Sequence, residues 1–127
     1  MKRCSSVFGV LLALLVAGLV VAPPAGATPQ GCGDLSNGQL CITGPVPTPG
    51  TYTVSYWRHI SGEITVRLGH QIKIERTGRI AQTTWLGKKK TQNGSAKLSR
   101  FVDLDGEGCI RGIMSHGGET FVSKWRC

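Results

Sequence analysis

Residues 51–76 read TYTVSYWRHISGEITVRLGHQIKIER. This stretch alternates apolar and polar residues at a period of two, the pattern of strands with one buried face. Tyr52, Val54 and Tyr56 share a face, then Ile64, Val66 and Leu68, then Ile72 and Ile74. Thr65, Arg67, Lys73 and Glu75 point the other way. Core and charged surface are therefore laid down together, and the rest of the chain must be compatible with them.

The pattern predicts a strand over 52–59, a Ser61-Gly62 turn and a returning strand over 64–76, with a bend or bulge at Gly69. Thr77-Gly78 turns into a strand over 80–86. A basic loop is expected over 87–95, GKKKTQNGS, followed by alternation over 96–104 that Arg100 and Phe101 interrupt. After an Asp105-Gly106 turn, two runs flank His116-Gly117-Gly118 as a hairpin. No segment after residue 27 carries apolar residues at helical spacing with caps. About seven short strands with glycine-rich turns define an all-β protein, a small antiparallel β-sandwich or partly closed barrel.

Ahead of this domain lies a different kind of sequence. Lys2 and Arg3 precede an apolar run over 7–22, and Ala25-Gly26-Ala27 follows it. A basic start, an apolar core and an A-x-A site make residues 1–27 a predicted signal peptide. The run is short for a membrane span. The expectation is a secreted, extracellular chain 28–127, one domain with no membrane span after cleavage. Within it, 28–50 forms a disulfide clasp and a proline-rich linker (GPVPTPG over 44–50), and 51–127 forms the β-domain.

Cys4 leaves with the signal, and Cys32, Cys41, Cys109 and Cys127 remain. An even count in a small exported domain reads as a disulfide framework. Of the three pairings, Cys32–Cys41 with Cys109–Cys127 is favoured, because each pair brackets its own turn. If Cys109 pairs with Cys127, Arg111 falls opposite Trp125, Ile113 opposite Ser123 and Ser115 opposite Phe121, and Arg111 stacks on Trp125. No CxxC is present and the histidines are not grouped with the cysteines, so neither a metal nor another cofactor is expected.

The chain has 15 Lys+Arg and 7 Asp+Glu; without Lys2 and Arg3 the balance is 13 to 7, or +6. Residues 54–100 hold ten basic and two acidic residues. Such a balance favours anionic partners, although a solubility role accounts for it equally well. Lys88, Lys89 and Lys90 are a candidate contact with anions. Aromatic residues sit mostly at strand positions and no RNA- or DNA-binding signature is present, which argues against nucleic acid.

Asp103 to Cys109, DLDGEGC, resembles part of a calcium loop. Phe101 and Ile110 stand where its outer ligands belong, and an Asp-Gly turn is the simpler reading. No GxSxG or HExxH occurs, and nothing groups the three histidines with a carboxylate as a small ribonuclease would require.

Trp57, Arg58 and His59 are a second candidate binding group, since Trp and Arg are common interface anchors. Trp57-Arg58 resembles the Trp-Arg-Tyr motif of the small secreted actinobacterial α-amylase inhibitors, with His59 in place of Tyr. In that family the motif lies inside a disulfide-closed loop, which Cys32–Cys41 does not provide here. The whole pattern is similar to small secreted two-disulfide β-proteins of actinobacteria, which implies a secreted β-domain and no particular activity. The leading expectation is thus a secreted, non-enzymatic protein binding an anionic envelope polymer or an extracellular protein. A hydrolase inhibitor presenting Trp57 and Arg58 comes second and a secreted ribonuclease third.

Overall fold

A computed structural model describes residues 31–127. The predicted signal peptide therefore lies outside the described residues. Among the described residues eight strands follow one another without a helix: β1 (Cys32–Leu35), β2 (Gly38–Thr43), β3 (Gly50–Arg58), β4 (Thr65–Ile74), β5 (Arg79–Lys90), β6 (Ser95–Val102), β7 (Gly108–His116) and β8 (Glu119–Val122). They form two antiparallel sheets, β1-β2-β3-β6 and β5-β4-β7-β8, packed as a sandwich and not closed into a barrel. Six strands form from Gly50 onward, and the Cys32–Cys41 clasp adds two more as a two-stranded ladder.

The core lies where the period-two pattern puts it, except at Ile74, which is 38 % exposed. Tyr52, Val54 and Tyr56 of β3 face inward beside Leu40 and Ile42 of β2; Val66 and Leu68 of β4 face them with Ile110 and Met114 of β7. Each such side chain contributes about 1.5–3 kcal/mol when fully buried. Tyr52 keeps its polar end satisfied by donating its hydroxyl to the Thr48 carbonyl at 2.8 Å. The acceptor belongs to the 44–50 segment, which is a turn closing the β2–β3 hairpin and not an extended linker.

Two expectations about connection are corrected. β4 does not return beside β3: residues 59–64 carry the chain from one sheet to the other, and β4 pairs with β5 and β7 instead. The basic stretch is not a loop either. Lys88, Lys89 and Lys90 complete β5, an edge strand, and the turn shrinks to Asn93-Gly94 between the paired Gln92 and Ser95. Lysine on an edge strand hinders further strand pairing. Gly69 does mark a bulge. Its missing side chain leaves room for the adjoining β5 backbone: a Cβ there would collide with the Thr84 carbonyl and meet the Trp85 ring at 3.1 Å.

Both favoured disulfides form. Cys32 and Cys41 face each other across β1–β2 with Cα atoms 4.0 Å apart, and Cys109–Cys127 closes the C-terminal hairpin at 4.2 Å. The hairpin tip is a two-residue turn, Gly117-Gly118, with φ of 61° and 80°, the left-handed pair that tight hairpins favour. Register across this hairpin changes along its length. Near the disulfide Ile110 pairs with Arg126, in the predicted register. Nearer the tip Ile113 pairs with Val122 and Ser115 with Thr120, one residue off the prediction. Ser123 fills the slip: its N–H donates to the Gly112 carbonyl, and its buried hydroxyl accepts the Gly112 N–H at 2.8 Å.

The Cys109–Cys127 bond closes a loop of sequence separation 18. Replacing both cysteines by serine is expected to cost about 3 kcal/mol through lost loop-closure entropy. Amide exchange in the double variant should accelerate first in β7, β8 and 123–126, while β2 and β3 keep their protection. Equal acceleration in both sheets would contradict this division.

Candidate functional site

The structure disperses the six residues that the sequence nominates. Trp57 points out of the β1-β2-β3-β6 sheet, 42 % exposed, with Lys97 Nζ 4.6 Å from its ring centroid. It borders a groove of 320 Å³ with Gln39, Thr53, Ser55 and the Cys32–Cys41 bridge. Arg58 is the next residue on the strand and so points inward, lining a 170 Å³ cavity at one end of the sandwich with Tyr56, Met114 and Phe121. Its Nε is buried without a hydrogen-bond partner. His59 lies beyond the strand, exposed, and donates its backbone N–H to the Asn37 carbonyl. Strand alternation therefore places Trp57 and Arg58 on opposite faces, and a partner that needs both on one surface is not served.

The lysines divide in the same way. Lys88 pairs with Arg67 and Lys90 with Thr65, so both face outward from the β5-β4-β7-β8 sheet. Lys89, between them, pairs with Val66 and takes the opposite direction.

That outer face gathers residues the sequence did not group. Arg67, Lys73 and Gln71 alternate outward along β4, with Lys88 and Lys90 on β5 and Arg111 on β7. Five cations thus share one sheet surface. Arg67 lies 4.5 Å from the Trp85 ring centroid; Lys73 and Arg111 both pack on Trp125, at 4.5 and 4.3 Å. Between the two tryptophans runs a hydrogen-bonded row, in which Arg111 Nε donates to Gln71 Oε1 at 2.8 Å and Gln71 Nε2 donates to Thr83 Oγ1 at 3.0 Å. The partners these cations have are ring faces and a neutral amide. At one end of the face Arg67 and Lys88 border a 410 Å³ groove with Thr65, Ser115 and His116.

The Arg111–Trp125 contact is the one predicted from the terminal disulfide. Lys73 was out of reach of that reasoning, because its place beside Trp125 requires β4 to pair with β7. The charge count over 54–100 signalled a basic region without telling which of its residues share a face.

The histidines serve three different places. His70 is 4 % exposed in the middle of β4, and its Nδ1 has no partner. Burial, and secondarily the positive charge of Arg100, hold its pKa below the ordinary histidine value. His116 Nδ1 lies 3.1 Å from the Thr65 carbonyl and donates to it. The DLDGEGC segment forms an Asp-Gly turn, with Asp105 Oδ1 accepting the Glu107 N–H at 3.0 Å. Glu75 lies close to both Cys109 and Cys127, but those sulfurs are consumed in a disulfide and offer no thiolate to a metal.

No protein-family profile matches the chain, and no curated protein matches it significantly.

The depressed His70 pKa carries a stability consequence. The unfolded chain takes up this proton near pH 6.5, whereas the folded chain resists it to lower pH. Stability should be level above about pH 6.5, the unfolded value, and fall as the pH drops below it. His70→Leu, which restores the apolar stripe, should flatten that part of the curve and leave the neutral-pH stability equal or higher. Urea melts across the range test it; an unchanged acid slope in the variant would assign the loss to other groups.

Proposed function

We propose that the chain is an exported, disulfide-stabilised binding protein that engages an anionic partner through the outer face of the β5-β4-β7-β8 sheet. The observation that carries this reading is the convergence of Arg67, Lys73, Lys88, Lys90 and Arg111 on one surface. At the disulfide end, beyond Lys73, the register adds Glu75 and, bonded to it through the backbone, Glu107. Arg67 opposite Lys88 is a like-charge pair across a ladder, an arrangement that is unfavourable in isolation. A row of anionic groups laid along the sheet reverses its sign.

The partner class is an extracellular anionic polymer or an acidic protein surface. Fixed cations on a flat sheet, steadied by two indole rings, suit a repeating charge better than a buried pocket does. Export is supported by the signal-like pattern of residues 1–27 and by two disulfides, which persist in oxidising compartments. No helix among the described residues is long and apolar enough to cross a membrane.

Affinity for a model polyanion such as dextran sulfate should fall linearly with the logarithm of salt concentration. Lys88→Gln with Lys90→Gln should weaken binding at low salt and reduce the salt slope by about one for each contact removed. Trp57→Ala, on the other sheet, should leave both unchanged. Binding that is insensitive to salt, or lost on Trp57→Ala alone, would overturn the assignment.

A further inference from the structure

The inward stripes of β4 and β6 each contain one polar residue, buried at His70 and solvent-exposed at Arg100. On β4 the stripe runs Val66, Leu68, His70, Ile72; on β6 it runs Ala96, Leu98, Arg100, Val102. The two strands lie in different sheets, and the sandwich brings both exceptions to one cleft of 260 Å³ on its side. Gln82 and Thr84 enter from β5, and Phe101 and Asp103 complete the lining. The cleft shares no lining residue with the cationic sheet face.

His70 forms the floor. A buried imidazole with an unpartnered Nδ1 is a cost that folding alone does not repay, since leucine would fit the stripe. Arg100 adds a cation that opposes protonation of the ring. Gln82 brings amide donors and Thr84 a hydroxyl, against the single carboxylate of Asp103. The other elements around His70 contribute neutral groups: Gly112 opposite it on β7, and Tyr52 of β3, opposite Arg100, with a phenol pKa raised by burial. Phe101, 64 % exposed, sets an apolar ring among these polar groups.

We propose that this cleft is a binding site for one carboxylate or phosphate group on a ligand about the size of a sugar ring, with Arg100 as the anion clamp, His70 at the floor and Phe101 beside the ring. A guanidinium offers a forked pair of donors that matches either oxyanion. The volume lies just below the ~300 Å³ where small-molecule sites commonly begin, which limits the occupant to one such unit. An anion held there replaces the repulsion between Arg100 and a protonated His70 with attraction to both. Binding therefore takes up a proton and tightens as the pH falls through the histidine range.

The test is an NMR titration of the isotope-labelled, disulfide-bonded protein with inorganic phosphate, glucuronate and uncharged glucose, at about pH 7.5 and about pH 5.5. Saturable shifts of the His70 ring are expected with an anion, with binding at least threefold tighter at the lower pH, on the order expected for one linked proton. A response to glucuronate alone identifies a sugar acid as the source of the anionic group, and a response to phosphate alone identifies a phosphoryl group. Arg100→Gln should weaken binding about tenfold, the loss expected for a charged hydrogen bond, and Arg100→Lys less. Lys88→Gln with Lys90→Gln should leave the His70 response intact even where polyanion binding is lost. No saturable His70 shift with either anion, an equal response to glucose, or loss of the response in the lysine variant would overturn the site.

Discussion

The fold depends on two adjacent crossings between sheets being held together at one end of the sandwich. Residues 59–64 pass from β3 to β4, and 91–94 pass from β5 to β6. Thr91, 3 % exposed, joins them: its N–H donates to the Ile64 carbonyl at 2.8 Å, and its hydroxyl accepts the Ile64 N–H at 2.9 Å. The Arg58 N–H donates to Gly94 at 2.7 Å across the same junction. Buried backbone groups must find such partners, and loops that cross between sheets have no ladder to supply them. By pairing with each other, the crossings let β3 and β4 become central strands of opposite sheets, facing across the core.

This junction also marks how far the sequence could be read. A period of two tells which side chains share a face, and it told so correctly for Tyr52, Val54, Tyr56, Val66 and Leu68. It does not tell whether two successive strands lie side by side or face to face, because both arrangements bury the same residues. Ser61-Gly62 resembles a hairpin turn in either case. The disulfides were legible because each clasps a local hairpin, whereas the single-residue slip near Ser123 was not, since it depends on where one hydroxyl finds the Gly112 N–H. Lys88, Lys89 and Lys90 read as a loop by composition, yet an edge strand with one open side accommodates lysine as readily.

The same limit governed the surface. Arg111 over Trp125 follows from one hairpin and one disulfide, but Lys73 reaches that ring only because β4 lies beside β7. Arg67 over Trp85 requires the bulge at Gly69 that shifts β5 against β4. An exposed cation–π contact is worth about 0.5–1 kcal/mol. Strands are ~4.8 Å apart, so Arg67 and Lys88 are held as repelling neighbours at close range. The rings moderate this repulsion without neutralising it. The sheet therefore keeps a positive outer surface, in which Lys88 and Lys90 also guard the β5 edge against further strand pairing.

His70 and Arg100 extend this logic to the side of the sandwich, where His70 is buried and Arg100 is exposed. Each interrupts an otherwise apolar stripe, and along the sequence they are separated by the whole of β5. Read separately, His70 is a gap in one alternation and Arg100 a break in another, and neither suggests the other. Only the sandwich, by setting the inner faces of β4 and β6 against the same cleft, turns two local irregularities into one polar lining. A chain under selection for stability alone has a simple remedy at the buried His70, an aliphatic residue of the kind that flanks it. That a buried imidazole with an unpartnered Nδ1 stands there instead, beside the exposed Arg100, is the physical reason to regard the cleft as a place where something binds.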